Sequence, residues 1–254
     1  MAGTHRHLMA SFSRVRAEDD WQRWCARFDQ TEKGVLRLFH DRGIWRTILA
    51  MLDDNPEVHR GSFGEHWLGW CYTTTQLIAV RRECDDDDNS AGILRSLKAL
   101  ASTPRMATRS WYIQQINQRE HGDLDPGQSD AGFNMFAAAS APFISAALVQ
   151  QDIDSLSAVI TKVNTFTTKN LAHRDDITSR VPAPAVTWGE LDSAIDAVGN
   201  IQKKYYRLRH PGESLGALTP LISPGWIQMF GAAWMRPEFT MPDDLSFEPH
   251  TCPD

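Results

Sequence analysis

Lys169 and His173 stand four residues apart, and Asn170 and Arg174 repeat that spacing one step around. On a helix each pair shares a face, because residues four apart are neighbours on its surface. Asp175 and Asp176 follow directly. Such a set suits phosphodiester chemistry. A histidine titrates near neutral pH and can take or give the 2′-hydroxyl proton of RNA. A cation beside it stabilises charge that develops on the phosphate, here Lys169, Arg174 or Arg82 from an earlier helix. Asn170 can fix a hydroxyl or phosphate oxygen, and Asp175 can orient the imidazole. The scheme calls for no metal and no cofactor. The same residues have a plainer use, since a His and an Arg near a helix C-terminus interact favourably with its dipole.

A second cluster, Lys203-Lys204-Tyr205-Tyr206-Arg207, interleaves cations with aromatics and is followed by Arg209 and His210. Lys203, Lys204, Tyr206 and Arg207 can bind RNA by phosphate contact and base stacking. The alternative is a helix that buries Tyr205 and Leu208 and turns its cations to water. Nine tryptophans are expected mostly as core or interface anchors. Nucleotide-binding glycine loops, His-Glu-x-x-His and Gly-x-Ser-x-Gly are missing from the sequence, and its nine histidines keep no metal-ligand spacing. Asp85 to Asp88 reads as a solvated acidic loop rather than a calcium loop.

The elements that would carry these residues are helical. Trp21, Trp24, Cys25 and Phe28 mark one face of a helix over 18–28, and Leu36, Phe39, Ile44, Ile48 and Leu52 mark a second over 33–52. A third, 63–82, sets Trp67, Trp70, Cys71, Thr74, Leu77, Ile78 and Arg81 in one period. A fourth opens with Ser90 as N-cap and carries Ile93, Leu94, Leu97 and Leu100. A fifth spans 106–119, and 121–129 is a loop. A long helix, 144–172, presents Ile153, Leu156, Val159, Ile160, Val163 and Phe166 and leads into the Lys169–Asp175 stretch. Thr187-x-x-Glu190 is a capping box for a last helix along Leu191, Ile195, Val198, Ile201, Tyr205 and Leu208. Period-two alternation is missing, so the expected class is all-α, a helical bundle with extra N-terminal helices and an irregular C-terminal tail. The expected organisation is a flexible N-terminus over 1–16, a helical domain over 17–210, and a proline-rich extension over 211–254 packed in part on it.

Composition agrees. Hydrophobic residues make up 42 % of 254, enough for a real core, and a net charge of −6 argues against a chain-wide nucleic-acid-coating surface. The uncharged stretch 131–151 is alanine-rich and holds Asn134, Ser140, Pro142 and Ser145, so it reads as core rather than membrane span. Four unpaired cysteines and no apolar export segment in Met1 to Arg16 suit a reduced, cytoplasmic setting.

The stretch Thr168-Lys169-Asn170-Leu171-Ala172-His173-Arg174-Asp175 resembles the signature end of HEPN domains, in their abortive-infection (AbiU-like) branch. Tyr72 to Arg82 with the Ser90/Leu94/Leu97 helix looks like that branch's earlier helix pair, and Thr187 to Leu208 is similar to its closing helix. The resemblance covers roughly 44–208. It implies an all-α HEPN core, usually a homodimer with the motif helices facing each other. It also implies either a metal-independent ribonuclease of phage-defence or toxin type, or a non-catalytic module that binds a protein partner or nucleic acid. Catalytic members place an Arg a short spacer before the His. Here Phe166, Thr167, Thr168 and Lys169 hold those positions and Arg174 follows instead, a departure that favours the non-catalytic form.

Overall fold

The computed structural model describes residues 2–54, 63–118, 126–172, 185–216 and 218, with side chains from Glu18 onward except at 63, 126–129 and 172. These residues are all-α. They form α1 (Ala2–Asp54), α2 (Phe63–Glu83), α3 (Ile93–Ser102), α4 (Arg109–Asn117), α5 (Pro126–Phe133), α6 (Ala146–Phe166) and α7 (Trp188–Arg209). Pro104–Met106 makes a 3₁₀ turn, and Thr167–Ala172 makes a π-helical turn that prolongs α6. Among the described residues there is no strand, only an isolated antiparallel bridge between Thr108 and Phe143. None of their helices is long and apolar enough to cross a membrane.

Helix α1 replaces two expected helices. Nothing between Phe28 and Lys33 breaks the backbone, and Thr31 is buried there with its hydroxyl donating to Phe28 O at 2.7 Å and to Gln202 Oε1 at 2.9 Å. The backbone is helical from Ala2. Ser90 does not cap α3. The cap is Gly92, and Ser90 closes the preceding acidic loop by donating to Asp85 O at 3.1 Å. The expected fifth helix is the 3₁₀ turn plus α4, capped by the Thr108 hydroxyl, and the end of the expected 121–129 loop is the start of α5.

Four long helices carry the bundle. Helix α1 runs antiparallel to α2, with Gly34 against Glu83 and Trp45 against Tyr72. A side chain at position 34 would collide with the Glu83 carboxylate, so glycine lets that buried acid lie against α1. Helix α7 also runs antiparallel to α1, joined by Arg42–Asp196 at 2.8 Å and Arg46–Asp192 at 3.0 Å. Helix α6 is antiparallel to α7, with Asp152 beside Lys204 at one end and Lys162 beside Glu190 at the other. Between them lie Val149, Ile153, Leu156, Ile160 and Val163 of α6 and Leu191, Ile195, Val198, Tyr205 and Leu208 of α7, all buried. A second cluster stacks Trp24 between Trp21 and Phe28 at centroid distances of 5.0 and 4.9 Å.

The capping box at α7 is present in full: the Thr187 hydroxyl accepts from the Glu190 amide, and the Glu190 carboxylate accepts from the Thr187 amide. Lys162 donates to the same carboxylate at 2.6 and 2.8 Å. The Lys162 ammonium first, then Thr187, hold the acid down to about 2 against an ordinary 4.5. A depressed carboxylate stabilises the fold above its unfolded pKa and loses that contribution as pH falls through the folded value. Glu190→Gln is therefore expected to flatten the fall of Tm between pH 4.5 and 2, which a melting series across that range would reveal.

Candidate functional site

The Lys169–Asp175 stretch begins where α6 loosens. The hydroxyls of Thr161, Thr165 and Thr167 donate back to the carbonyls of Ser157, Thr161 and Val163. The Asn170 amide does the same to Phe166 O at 3.2 Å. Side chains that compete for ladder carbonyls weaken and widen a helix, which accounts for the π turn. Lys169 and Asn170 lie exposed on that turn. His173, Arg174 and Asp175 lie outside the described residues.

Arg82 is not brought to this turn. The Lys162–Glu190 pair sets the turn at the Trp188 end of α7, and α2 reaches that end with Tyr72, whose ring stacks on Trp188 at 5.7 Å. From Tyr72 to Arg82 the helix rises about 15 Å toward the opposite end of the bundle. There Arg82 pairs with Glu83 at 2.9 Å. Burial pushes the Glu83 carboxyl up against the opposing pull of that guanidinium. Arg82 is thus engaged within α2, at the end away from Lys169.

The expected RNA-binding cluster on α7 is largely occupied within the chain. Lys204 donates to Asp152 Oδ2 at 2.6 Å, and the buried Tyr205 hydroxyl donates to the same oxygen at 2.7 Å. Tyr206 donates to Glu213 at 3.1 Å and packs on the His210 ring at 4.4 Å. Burial and the neighbouring Arg209 pull the His210 imidazole down, so it adds no cation at neutral pH. Lys203 is half-buried, and Arg207 is exposed with Nη1 against Met135 Sδ at 3.8 Å. The run presents no open row of cations and stacking rings. It also lies roughly 25 Å along α6 from Lys169, so the two candidate clusters do not form one site.

At the Trp188 end the structure shows a groove that sequence reading missed. Of the α2 stripe read from the sequence, Leu77 is buried, while Trp67, Trp70 and Ile78 are 54, 62 and 48 % exposed. The buried face runs through Gln76, Leu77, Val80, Glu83 and Cys84. Beside the exposed face lies a groove of about 470 Å³, bounded by Trp45, Trp70, Trp188, Glu65, His66 and Thr73. Trp45, Tyr72 and Trp188 tile together with planes within 14° and centroids 5.2 to 5.8 Å apart. Trp45 is buried beneath, and Trp188 stays 51 % exposed. Burial, with Asp192 nearby, raises the Tyr72 phenol to about 12, so it stays neutral. The recurrence of tryptophan at 67 and 70 was the available signal, but period alone does not say whether a stripe faces the core or a partner.

Cys25 and Cys84 are buried free thiols, the first raised by burial to about 12 and the second raised further by the same cause, so neither is a ready nucleophile. Among the described residues no three His, Cys, Asp or Glu side chains gather to hold a metal ion. No family model matches the chain, and neither a curated protein nor a solved structure does.

Proposed function

We propose that this chain is a non-catalytic HEPN-like module that binds a protein partner through the tryptophan-rich end of α2. The observation that carries the reading is the exposure of Trp70 and Trp188, each more than half open to solvent at one groove, and of Trp67 on the same helix as Trp70. Large rigid aromatics are the side chains that anchor protein interfaces, and leaving several together in water forfeits the gain of burying them. The HEPN part of the reading is supported by the resemblance of the signature stretch that follows α6, and the missing Arg favours the non-catalytic form. It brings with it a cytoplasmic homodimer, which sedimentation equilibrium would measure.

The ribonuclease reading has weaker support. It needs a second cation beside His173, and the candidate from α2, Arg82, is paired with Glu83 at the other end of that helix. The test is incubation of wild type and His173→Ala with labelled structured RNA in EDTA. Neither protein is expected to cleave it, and partner association should survive in His173→Ala but fall in a Trp67→Ser/Trp70→Ser variant. Cleavage by wild type alone would replace the binding module with a metal-independent nuclease centred on His173.

A further inference from the structure

Resting on that reading, we infer that the protein partner is a second copy of this chain, docked through an antiparallel α2–α2 contact with its twofold axis at Thr74. Helix α2 turns a stripe away from the bundle: Trp67, Cys71, Thr74, Ile78 and Arg81. Their steps of four, three, four and three make the seven-residue repeat of a seam that packs one helix on another. The buried face, with Gln76, Val80 and Glu83, lies on the other side of the helix. Trp67 and Ile78 are exposed, and Cys71, Thr74 and Arg81 are half-buried among them. Trp70 borders the stripe and is exposed as well.

The stripe complements itself when reversed. A twofold contact pairs residue i with j and j with i. With the axis at Thr74, Trp67 meets the partner's Arg81, and Trp70 meets the partner's Ile78. A guanidinium over an indole face is a favourable pair. Among the described residues no ion pair holds Arg81. The middle of the stripe is Cys71, Thr74 and Thr75, small enough for two helices to approach closely. A parallel pair would set guanidinium beside guanidinium, and like charges repel.

The area suits a dimer. A tryptophan can bury 150–250 Å², so at 54 and 62 % exposure Trp67 and Trp70 leave roughly 170–290 Å² in water. Each partner of a stable interface buries about 800 Å², with aromatics enriched at the core of the patch. The two rings form such a core, and the seam from Trp67 to Arg81 runs about 21 Å. Antiparallel pairing also sends the Trp188 ends of the two bundles apart. The Lys169 turns therefore do not face each other in this dimer.

Sedimentation equilibrium of the full chain should show a dimer. Its dissociation constant should rise at least about tenfold in Trp67→Ser/Trp70→Ser and about threefold in Arg81→Gln. These side chains lie outside the core, so the thermal melts of the variants should match wild type. In a Cys71→Ser/Cys252→Ser background, Thr74→Cys should form a disulfide-linked dimer on mild oxidation, because residues on the axis meet their own copies. Arg81→Cys should not, since the axis sets its two copies about 21 Å apart. Linkage through Arg81→Cys would mean a parallel pair and overturn the inference. So would a dimer that keeps its strength in the tryptophan variant and links through Lys169→Cys, which moves self-association to the end of α6. A monomeric wild type would overturn it too and leave the tryptophan face to a protein of another sequence. RNA cleavage by a dimer linked at Thr74→Cys would overturn the non-catalytic reading and leave this contact standing.

Discussion

Arg109→Ala is expected to lower the free energy of unfolding by about 3–5 kcal/mol, because it removes several hydrogen bonds from one charged donor, each contributing about 1.5–3 kcal/mol. The Arg109 side chain is about one-tenth exposed and its guanidinium lies 4.7 Å over the Phe133 ring. It donates to Ala141 O at 2.8 Å, Ala138 O at 2.8 Å, Asp130 O at 3.2 Å, Asp130 Oδ1 at 2.5 Å and Asn134 Oδ1 at 2.9 Å. Those acceptors belong to α5 and to the irregular segment that joins it to α6. That segment has no helix or sheet to take up its carbonyls, and the guanidinium does so instead. Its far end is tied by Ser145 N to Phe136 O at 2.7 Å, and Ser145 is the N-cap of α6. Loss of Arg109 should therefore loosen the start of the helix that carries Lys169 and Asn170. Arg109→Lys should recover little, because an ammonium cannot reproduce the fork that meets the three carbonyls, the Asp130 carboxylate and the Asn134 amide oxygen. Urea unfolding compares the variants, and hydrogen exchange at 134–149 locates the effect. A loss below about 1 kcal/mol, in the range of an exposed pair, would show that the segment holds without the clip.

Trp24→Ala should cost a similar amount, about 3–5 kcal/mol, as large-to-small core changes do. Trp24 is almost fully buried, lies between Trp21 and Phe28, and donates its indole N–H to Ser96 O at 2.9 Å. The hydrogen bond crosses from α1 to α3, where Ser96 donates its own hydroxyl to Gly92 O. Trp24→Phe separates the two contributions. It keeps most of the stack and drops the donor, so it should cost less than the alanine variant, with about 0.5–1.5 kcal/mol assigned to the lost hydrogen bond, since the Ser96 carbonyl keeps its acceptor role within α3. Thermal melts of the three proteins measure the split. Equal losses for Phe and Ala would mean that the hydrogen bond, not ring packing, holds α1 to α3.

Features set by near neighbours in the chain were legible before folding was considered. Thr187 and Glu190 satisfy each other across three residues, so the start of α7 could be read directly. The buried rows of α6 and α7 follow from a 3.6-residue period that any long amphipathic helix must show. The same reasoning missed the continuity of α1. The buried Thr31 that bridges its expected halves is satisfied partly by Gln202, 171 residues away. It also misplaced the α3 cap by two residues, because Ser90 is drawn into the acidic loop by Asp85.

The sequence by itself determined the all-α class, most helix positions and the end of α6 where Lys169 and Asn170 stand, because these depend on local period and capping. Only the tertiary structure decided which charges remain available. Asp152 is 52 residues from Lys204, and their pairing takes that cation out of the expected RNA-binding row. Tertiary packing also decided which stripe of α2 faces the core. Packing splits the stripe read from the sequence: Leu77 is buried with Val80, and Trp67, Trp70 and Ile78 face water. The groove exists because Trp45, Tyr72 and Trp188, on three different helices, meet at one end of the bundle. That convergence depends on the packing of α1, α2 and α7, which no local periodicity encodes.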